Sequence, residues 1–480
     1  MAIFLSRPNA NTDQQEKPST LGWLAIGALI LFTTTCIIIG VGNIIRPAFP
    51  LVAFIVGVFL YWRYPLLYLG FTWWIWFLTP LVRRLVDYRS GWVDPNIILL
   101  APFLVTLITG ITFIKYLPRS YHMGGFPFVI AIFSVFYGFL VGLIYFDKIL
   151  VIRTILDWLT PILFGFHLFV NWRNYLQYRC NIQNVFTWAV LITGIYGIFQ
   201  YLIAPEWDKF WLIQTRLNTF GYPEPLGIRV WSTMNSPGPF ALVIMAGLIL
   251  LFSRQNFLRI FASVAGYLAF LLSMARAAWG GWLVGVVCLL TNLKPKLQMR
   301  LMVTILVMVL CVIPLANTKP FSEGISNRFR TFTNIEQDQS FSDRLNNYEK
   351  NINIALSKVF GNGIGGTWTI DRNGKLIQIV LDSGILDTFF ALGWFGAIPY
   401  LGSILLIIYE LLQGEEKRSD PFASASLSIS IAIIFQLVFS SLMISLAGLV
   451  FWSFLGMGMA AKKYHKHQQF YLVKEQEKLM

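Results

Sequence analysis

The sequence predicts an all-α polytopic membrane protein, with about 12–14 transmembrane helices and one large extracytoplasmic loop containing an amphipathic helix. Three observations lead there. The 480 residues are 56% hydrophobic and only 12% charged, against about 25% charged in a soluble domain. Apolar runs close to the length a bilayer requires, about 20 residues, recur from Leu21 to Ala461. The 41 Phe, 17 Trp and 19 Tyr suit lipid-facing and interfacial positions. A net charge of +14 would point a soluble chain toward nucleic acid. Here the sidedness of Lys and Arg accounts for it, and no nucleic-acid partner is expected.

Residues 1–20 form a polar cytoplasmic tail holding Asp13, Glu16 and Lys17. The first apolar run is too long for a signal-peptide core and is read as a retained helix. The candidate spans are Leu21–Val41, Pro47–Trp62, Pro65–Val82, Asn96–Leu117, Phe126–Phe146, Leu150–Val170, Val185–Ala204, Gly238–Phe252, Leu258–Met274, Ala277–Thr291 and Met299–Ala316, then Ile385–Leu412, Pro421–Ser440 and Leu442–Ala461. Residues 21–316 thus carry the first block of helices, 317–384 the large loop, 385–461 the last three helices and 462–480 a basic cytoplasmic tail.

Orientation follows from the short loops. With a cytoplasmic N-terminus the inner loops hold Arg63, Lys115, Arg119, Arg173, Arg179, Arg254, Lys294, Lys296, Lys417 and Arg418. Lys462, Lys463 and Lys466 follow in the tail, and the large loop lies outside. One outer loop departs from the rule, with Arg83, Arg84 and Arg89. Asp87 and Asp94 offset these charges in one reading; in the other, Arg83 and Arg84 contact phosphate. In the large loop Ser342 is a helix N-cap. Leu345, Tyr348, Ile352, Leu356 and Val359 then form one apolar stripe, which Gly361-Asn362-Gly363 ends. Arg344 and Lys350 lie off the stripe, free to reach a headgroup.

The chemistry rests on arginines and one carboxylate. Guanidinium stays charged and grips phosphate oxygens with two bonds at once. Arg229 precedes Trp231-Ser232-Thr233-Met234-Asn235-Ser236-Pro237-Gly238, and Arg276 stands at a helix end between two apolar runs, where a charge needs a partner or water. Arg328 and Arg344 lie in the large loop. Snorkelling to headgroups is the plainer reading for each. His122, His167, His465 and His467 all fall away from the outer face, so Asp382, just before a helix enters the membrane, is the general-base candidate, and Asp387 is its rival. Asp157 lies four residues after Arg153, where the two can pair on one helix face. Cys36, Cys180, Cys288 and Cys311 suggest no disulfide framework and no thiolate metal site. No metal and no cofactor are expected.

In order, these residues resemble a family: Arg229 with Asn-Ser-Pro-Gly; Ser-Met-Ala-Arg276; Asp343-Arg344 before an amphipathic helix; Gly361-Asn-Gly363-Ile-Gly365; and Asp382-Ser383-Gly384 ahead of Leu392-Gly393-Trp394-Phe395-Gly396. From Val185 to Ala461 the chain is similar to the O-antigen ligase / O-antigen polymerase superfamily of bacterial membrane glycosyltransferases. The resemblance implies a multi-pass protein of the bacterial plasma (inner) membrane, active at its outer face without a metal. Its substrates would be an undecaprenyl-diphosphate-linked glycan donor and a glycan acceptor, reached from the lipid phase. A flippase and a chain-length regulator are candidate partners. Ligases of the family often show His-Asn some eleven residues before the Gly-x-x-Gly turn, where this chain has Asp382-Ser383, which favours a polymerase over a ligase. In that reading Asp382, Arg276 and Arg229 are catalytic, while Arg344, Arg328, Asn235, Arg83 and Arg84 bind substrate. The rival class is a transporter of an anion or lipid-linked sugar, which calls for charges and broken helices near the midplane. Beyond Arg153 and Asp157 the sequence shows little of this.

The orientation is directly testable. In whole cells Ser340→Cys and Gly374→Cys react with a membrane-impermeant thiol reagent and Lys296→Cys does not. Labelling of the Lys296 position alone inverts the topology.

Overall fold

The protein is described from a computed structural model covering residues 19–253, 256–293, 295–296, 298–299, 302, 305–306, 352–370, 376–378 and 381–479. It is an all-α polytopic membrane protein. The helices are α1 (Thr20–Ile39), α2 (Gly42–Arg63), α3 (Pro65–Ser90), α4 (Ala101–Leu107), α5 (Gly110–Tyr116), α6 (Ser120–Met123), α7 (Phe126–Tyr145), α8 (Lys148–Val170), α9 (Tyr175–Ile203), α10 (Glu206–Thr215), α11 (Pro237–Leu251), α12 (Leu258–Leu272), α13 (Arg276–Asn292), α14 (Gly384–Gln413), α15 (Pro421–Leu437) and α16 (Ser445–Leu479). A two-stranded antiparallel ribbon, β1 (Trp368–Ile370) with β2 (Leu376–Gln378), pairs Thr369 with Ile377. Among the described residues nine helical segments are long and apolar enough to cross a membrane, and α11, α12 and α15 are shorter apolar helices. The expected span Met299–Ala316 falls mostly outside the described residues.

The three largest boundary differences from the sequence reading are each toward a longer helix. The helix α3 runs eight residues past Val82, so Arg83, Arg84 and Asp87 are helical and buried. Their charges pair within the protein, which removes the cost that would end a span there. The helix α9 begins at Tyr175 rather than Val185, and α16 continues to Leu479, so the basic stretch after Ala461 is helical.

The core gathers on α11, whose residues from Phe240 to Leu251 are all buried. A helix apolar all round belongs inside. The helix α16 packs along α8, and Gly165 and Gly456 set that crossing: a Cβ on Gly456 would stand 2.2 Å from the Gly165 carbonyl oxygen. Small residues let backbones approach closely where lipid supplies no hydrophobic drive between helices. The helices α1–α4 form a smaller cluster of their own around Ile45, Phe49, Tyr68 and Phe71. At the end of the bundle where α16 leaves the core, Asp420 caps α15 through Phe422 N–H at 2.9 Å and receives Tyr175 Oη at 2.8 Å, Arg179 at 3.2 Å and His465 Nε2 at 3.1 Å. Burial alone would push this carboxyl up; the His465, Arg179 and Tyr175 contacts outweigh it and hold the pKa down at about 2.

The helix α14 is broken at Gly393 (φ 61°, ψ −173°), and the segment 359–364 fills the break. Asn362 and Gly363 N–H donate to the Phe390 and Ala391 carbonyls at 2.8 and 3.0 Å, and Trp394 N–H donates to the Val359 carbonyl at 2.8 Å. Ile364 N–H reaches the Gly138 carbonyl of α7 at 2.9 Å. The backbone groups freed by the break are thus satisfied by protein, as the membrane interior demands. The loop helix is described at 352–356, where Ile352 and buried Ala355 pack on Leu381, Leu386 and Phe390. Val359, assigned to the apolar stripe, is exposed instead, because its backbone is committed to Trp394.

Gly393→Ala tests the break. Its φ is left-handed and a Cβ would meet Gly361 N at 2.3 Å. We expect a loss of several kcal/mol, since the strained backbone alone costs about 1–3 kcal/mol, read as a much lower melting midpoint in detergent. Gly402→Ala, on the same helix with open space around its Cβ position, should match wild type or gain about 0.5–1 kcal/mol.

Candidate active site

One end of the bundle is built from the connections 204–236, 273–275, 381–383 and 438–444. Its foundation is Arg84. Neither Arg84 nor Asp208 has exposed side-chain surface, and Nε and Oδ1 stand 3.3 Å apart. The two remaining nitrogens of Arg84 donate to the Ser232 carbonyl at 2.5 Å and the Met234 carbonyl at 3.1 Å. Asp208 Oδ2 accepts from Tyr196 Oη at 2.9 Å and Gln200 Nε2 at 2.8 Å. The other end of the Gln200 amide accepts from Trp231 and Ser232 N–H at 3.0 and 2.8 Å. Ser232 Oγ donates to the Thr193 carbonyl at 2.6 Å. All three polar groups of Ser232 are therefore taken, which holds it at φ 53°. The turn 231–235 is fixed from below, and Trp211, Phe220 and Trp231 pack over it.

That turn delivers Arg229. Its Nη1 donates to the Thr219 carbonyl at 2.8 Å, and its Nη2 donates to the Ser273 and Met274 carbonyls at 3.3 and 3.2 Å. Val230 N–H joins the Leu272 carbonyl at 3.1 Å. Two segments far apart in sequence thus close on each other, and Arg276 opens α13 two residues after Met274. Arg229 and Arg276 both carry further contacts. In the same turn Thr233 Oγ1 and Asn235 Oδ1 are buried with no hydrogen-bond partner among the described residues. Such groups call for water or a ligand.

The far end of α15 joins this half to the carboxylates. Gly280, in the first turn after Arg276, faces the Phe435 ring, where a Cβ would sit 3.1 Å away, and Gly281 faces Gln436. On the same helix end Ser383 Oγ donates to the Leu437 carbonyl at 3.3 Å, and Gly384 N–H donates to the Ser440 carbonyl at 3.0 Å. Ser383 Oγ also caps α14 by accepting from Leu386 N–H at 3.4 Å. Asp382 precedes this cap at φ 53°, half-buried, with Asp387 one turn into the helix.

Among the described residues seven non-glycine positions have left-handed backbones: Ala204, Arg216, Leu226, Ser232, Met274, Asp382 and Ser445. All seven lie in or border the connections at this end. Each costs about 1–3 kcal/mol and persists only where its surroundings dictate it.

The site residues read from the sequence fall into three groups. Arg229 and the Arg276 turn are bonded together, and Asp382 shares the end of α15 with them; Asn235 lies in the same turn as the network around Ser232. Arg83 and Arg84 have protein partners instead of open faces. Arg83 pairs with Asp87 and Asp94, each at 3.2 Å, and lies over the Trp92 ring. Arg328 and Arg344 lie outside the described residues. Asp157 makes no direct ion-pair contact with Arg153 among the described residues, although the arginine's charge acts on it; its Oδ1 accepts from Ser445 Oγ, whose hydroxyl comes from the start of α16. Asp208, Gln200 and Tyr196 were not singled out by sequence reasoning. The available signal was an acid in a connection on the same side as three arginines, Arg83, Arg84 and Arg89, for which the neighbouring sequence offers only two acids, Asp87 and Asp94. Among the described residues no group of three His, Cys, Asp or Glu is arranged to hold a metal ion.

Residues 261–401 match the model of the family described as O-Antigen ligase. The match runs from α12 through Arg276, the large loop and Asp382 to the far side of the Gly393 break, and supports the resemblance to the O-antigen ligase / O-antigen polymerase superfamily. It also supports a membrane protein that processes lipid-linked glycans. No curated protein matches the chain.

Arg84→Met leaves Asp208 as an unpaired buried charge, a change that typically costs about 3–5 kcal/mol. We expect a collapse of the melting midpoint and of membrane abundance, with part of the loss restored by adding Asp208→Asn. Arg83→Met should cost less, because Asp87 keeps Arg46 at 3.3 Å and Asn96 at 2.9 Å.

Proposed function

We propose, with the O-antigen ligase match of residues 261–401 as premise, that the protein polymerises glycan repeats carried on a polyprenyl diphosphate at the outer face of the bacterial plasma membrane. The observation that carries this reading is the closure of Arg229 on the Ser273–Met274 carbonyls beside Arg276, with Asp382 on the other side of the α15 end. Two guanidinium groups and a carboxylate then share one water-accessible end of a membrane bundle. An acceptor hydroxyl attacks the anomeric carbon of the donor, and the new C–O bond forms as the bond to the diphosphate oxygen breaks. Asp382 takes the hydroxyl proton, and the polyprenyl diphosphate leaves with its charge held by Arg229 and Arg276, joined from the large loop by Arg344 and Arg328. Fixed positive groups where charge develops are commonly the largest catalytic term. In this scheme inversion follows from a single displacement. Asn235 offers an unfilled acceptor for a substrate hydroxyl, and Arg84 acts as a positioning residue beneath the turn, while Arg83 braces the neighbouring Trp92–Asp94 stretch.

A second reading is a ligase that moves the finished glycan to a lipid acceptor, favoured by the description of the matching family. Asp382-Ser383 in place of His-Asn favours the polymerase. Reconstitution in liposomes with a labelled lipid-linked oligosaccharide separates them: a ladder of products supports the polymerase, a single transfer to a non-glycan lipid the ligase, and flux without bond formation a transporter.

In the same assay Asp382→Asn should slow chain growth by about 10²–10⁴-fold, the usual worth of a general base, with donor binding retained. Asp387→Asn should be milder, since a carboxylate in a first helical turn is worth about 0.3–1 kcal/mol. Arg276→Lys should lose about tenfold or more. A full ladder from Asp382→Asn and none from Asp387→Asn reassigns the base to Asp387.

A further inference from the structure

Asp157 belongs to none of the groups used above, yet it is tied to Asp382 through a continuous set of contacts. Its Oδ1 accepts from Ser445 Oγ. Ser445 stands at φ 53°, a conformation its own side chain disfavours, at the start of α16. From there the chain runs back toward α15 through Met443 and Leu442, which are 2% and 6% exposed. It is packed tightly: a Cβ on Gly448 would meet the Met443 carbonyl oxygen at 2.4 Å, and one on Gly384 would meet Leu442 N at 3.4 Å. The Ser440 carbonyl of this connection and the Leu437 carbonyl at the end of α15 receive Gly384 N–H and Ser383 Oγ. Asp382 is the next residue.

We propose that Asp157 is a positioning residue for Asp382, acting through Ser445 and the connection 438–444; the inference rests on the reading of Asp382 as the base. A carboxylate inside a bundle is a functional candidate by default. Here its hydrogen bond to Ser445 pins the strained residue where α16 begins. Release of Ser445 lets the connection relax toward an ordinary backbone. The Ser440 and Leu437 carbonyls then shift, and the Ser383–Gly384 cap with Asp382 shifts with them. Reacting groups tolerate little of this, since a displacement of about 1 Å can cost about 10²-fold in rate.

Two measurements on the full-length protein in lipid nanodiscs test the link. The first is amide hydrogen exchange in a peptide spanning 381–386. Asp157→Ala and Ser445→Ala should each speed exchange there relative to wild type, while Asp157→Asn, which keeps an acceptor oxygen for Ser445, should restore most of the protection. Unchanged exchange at 381–386 in both alanine variants overturns the proposal. The second is chain growth on the labelled lipid-linked oligosaccharide. Asp157→Ala should lower kcat by about tenfold to about 10²-fold with KM for the donor within about twofold, and Asp157→Asn should recover most of it. In an Asp382→Asn background the Asp157→Ala change should cost little more, because residues that act together are not additive. Equal losses in both backgrounds give Asp157 a merely structural role and overturn the proposal. A wild-type protein that forms no glycosidic bond defeats the proposed function, and the exchange measurement then decides the Asp157 link by itself.

Discussion

The ion pair of Arg84 and Asp208 is the constraint on which this end of the bundle depends. Each charge loses its water, at an effective penalty of several kcal/mol per ion. Their attraction repays that only because the remaining donors and acceptors are also filled, by the Ser232 and Met234 carbonyls on one side and by Tyr196 and Gln200 on the other. A hydrophobic pair of similar volume could fill the same space, but it could not dictate the path of the backbone above it. The network joins α3, α9 and α10 to the turn 231–235, and that turn carries Arg229 to the start of α13. The shape of the arginine cluster is therefore decided one layer below it.

Strain is distributed accordingly. The left-handed residues sit between rigid helices, and several have their polar atoms engaged from both sides. Ser232 is held by Gln200, Arg84 and Thr193, and the Met274 carbonyl is held by Arg229. The apolar interior around α11 and the glycine-mediated crossing of α8 with α16 supply the stability against which such strain can persist. A polar, strained end on a close-packed apolar body is the arrangement expected of a preorganised site.

The break in α14 adds a second anchoring device. A broken helix inside a membrane protein is also a mark of transporters, in which the freed backbone groups line a substrate path. Here the segment 359–364 occupies the gap and takes up those groups, so the break holds the returning end of the large loop against α7 and α14. This fixes the stretch around 381–383 at both ends: Ala355 and Ile352 pack on Leu381 and Leu386, and α15 holds Ser383 and Gly384.

Amino-acid order alone determined the membrane class and most of the long apolar helices, because a bilayer tests one local property, the length of an apolar run, and its motifs carried the resemblance that the family match supports. It also placed Arg276 at a helix end and Asp382 before one, since polar residues flanking such runs are visible without any partner. The tertiary structure decided which charges meet. Arg83 and Arg84 are adjacent, yet one pairs with acids on and just after its own helix and the other with an acid more than a hundred residues away. Asp157 has an arginine four residues before it, and its hydroxyl partner comes from α16. Gly393 has no sequence feature that distinguishes a helix break from a small residue in a helix; only the arrival of Asn362 and Gly363 at Phe390 and Ala391 makes the break affordable. Pairings of this kind depend on which helices lie side by side and at what depth, and that is set by packing across the whole bundle rather than by any local stretch of chain.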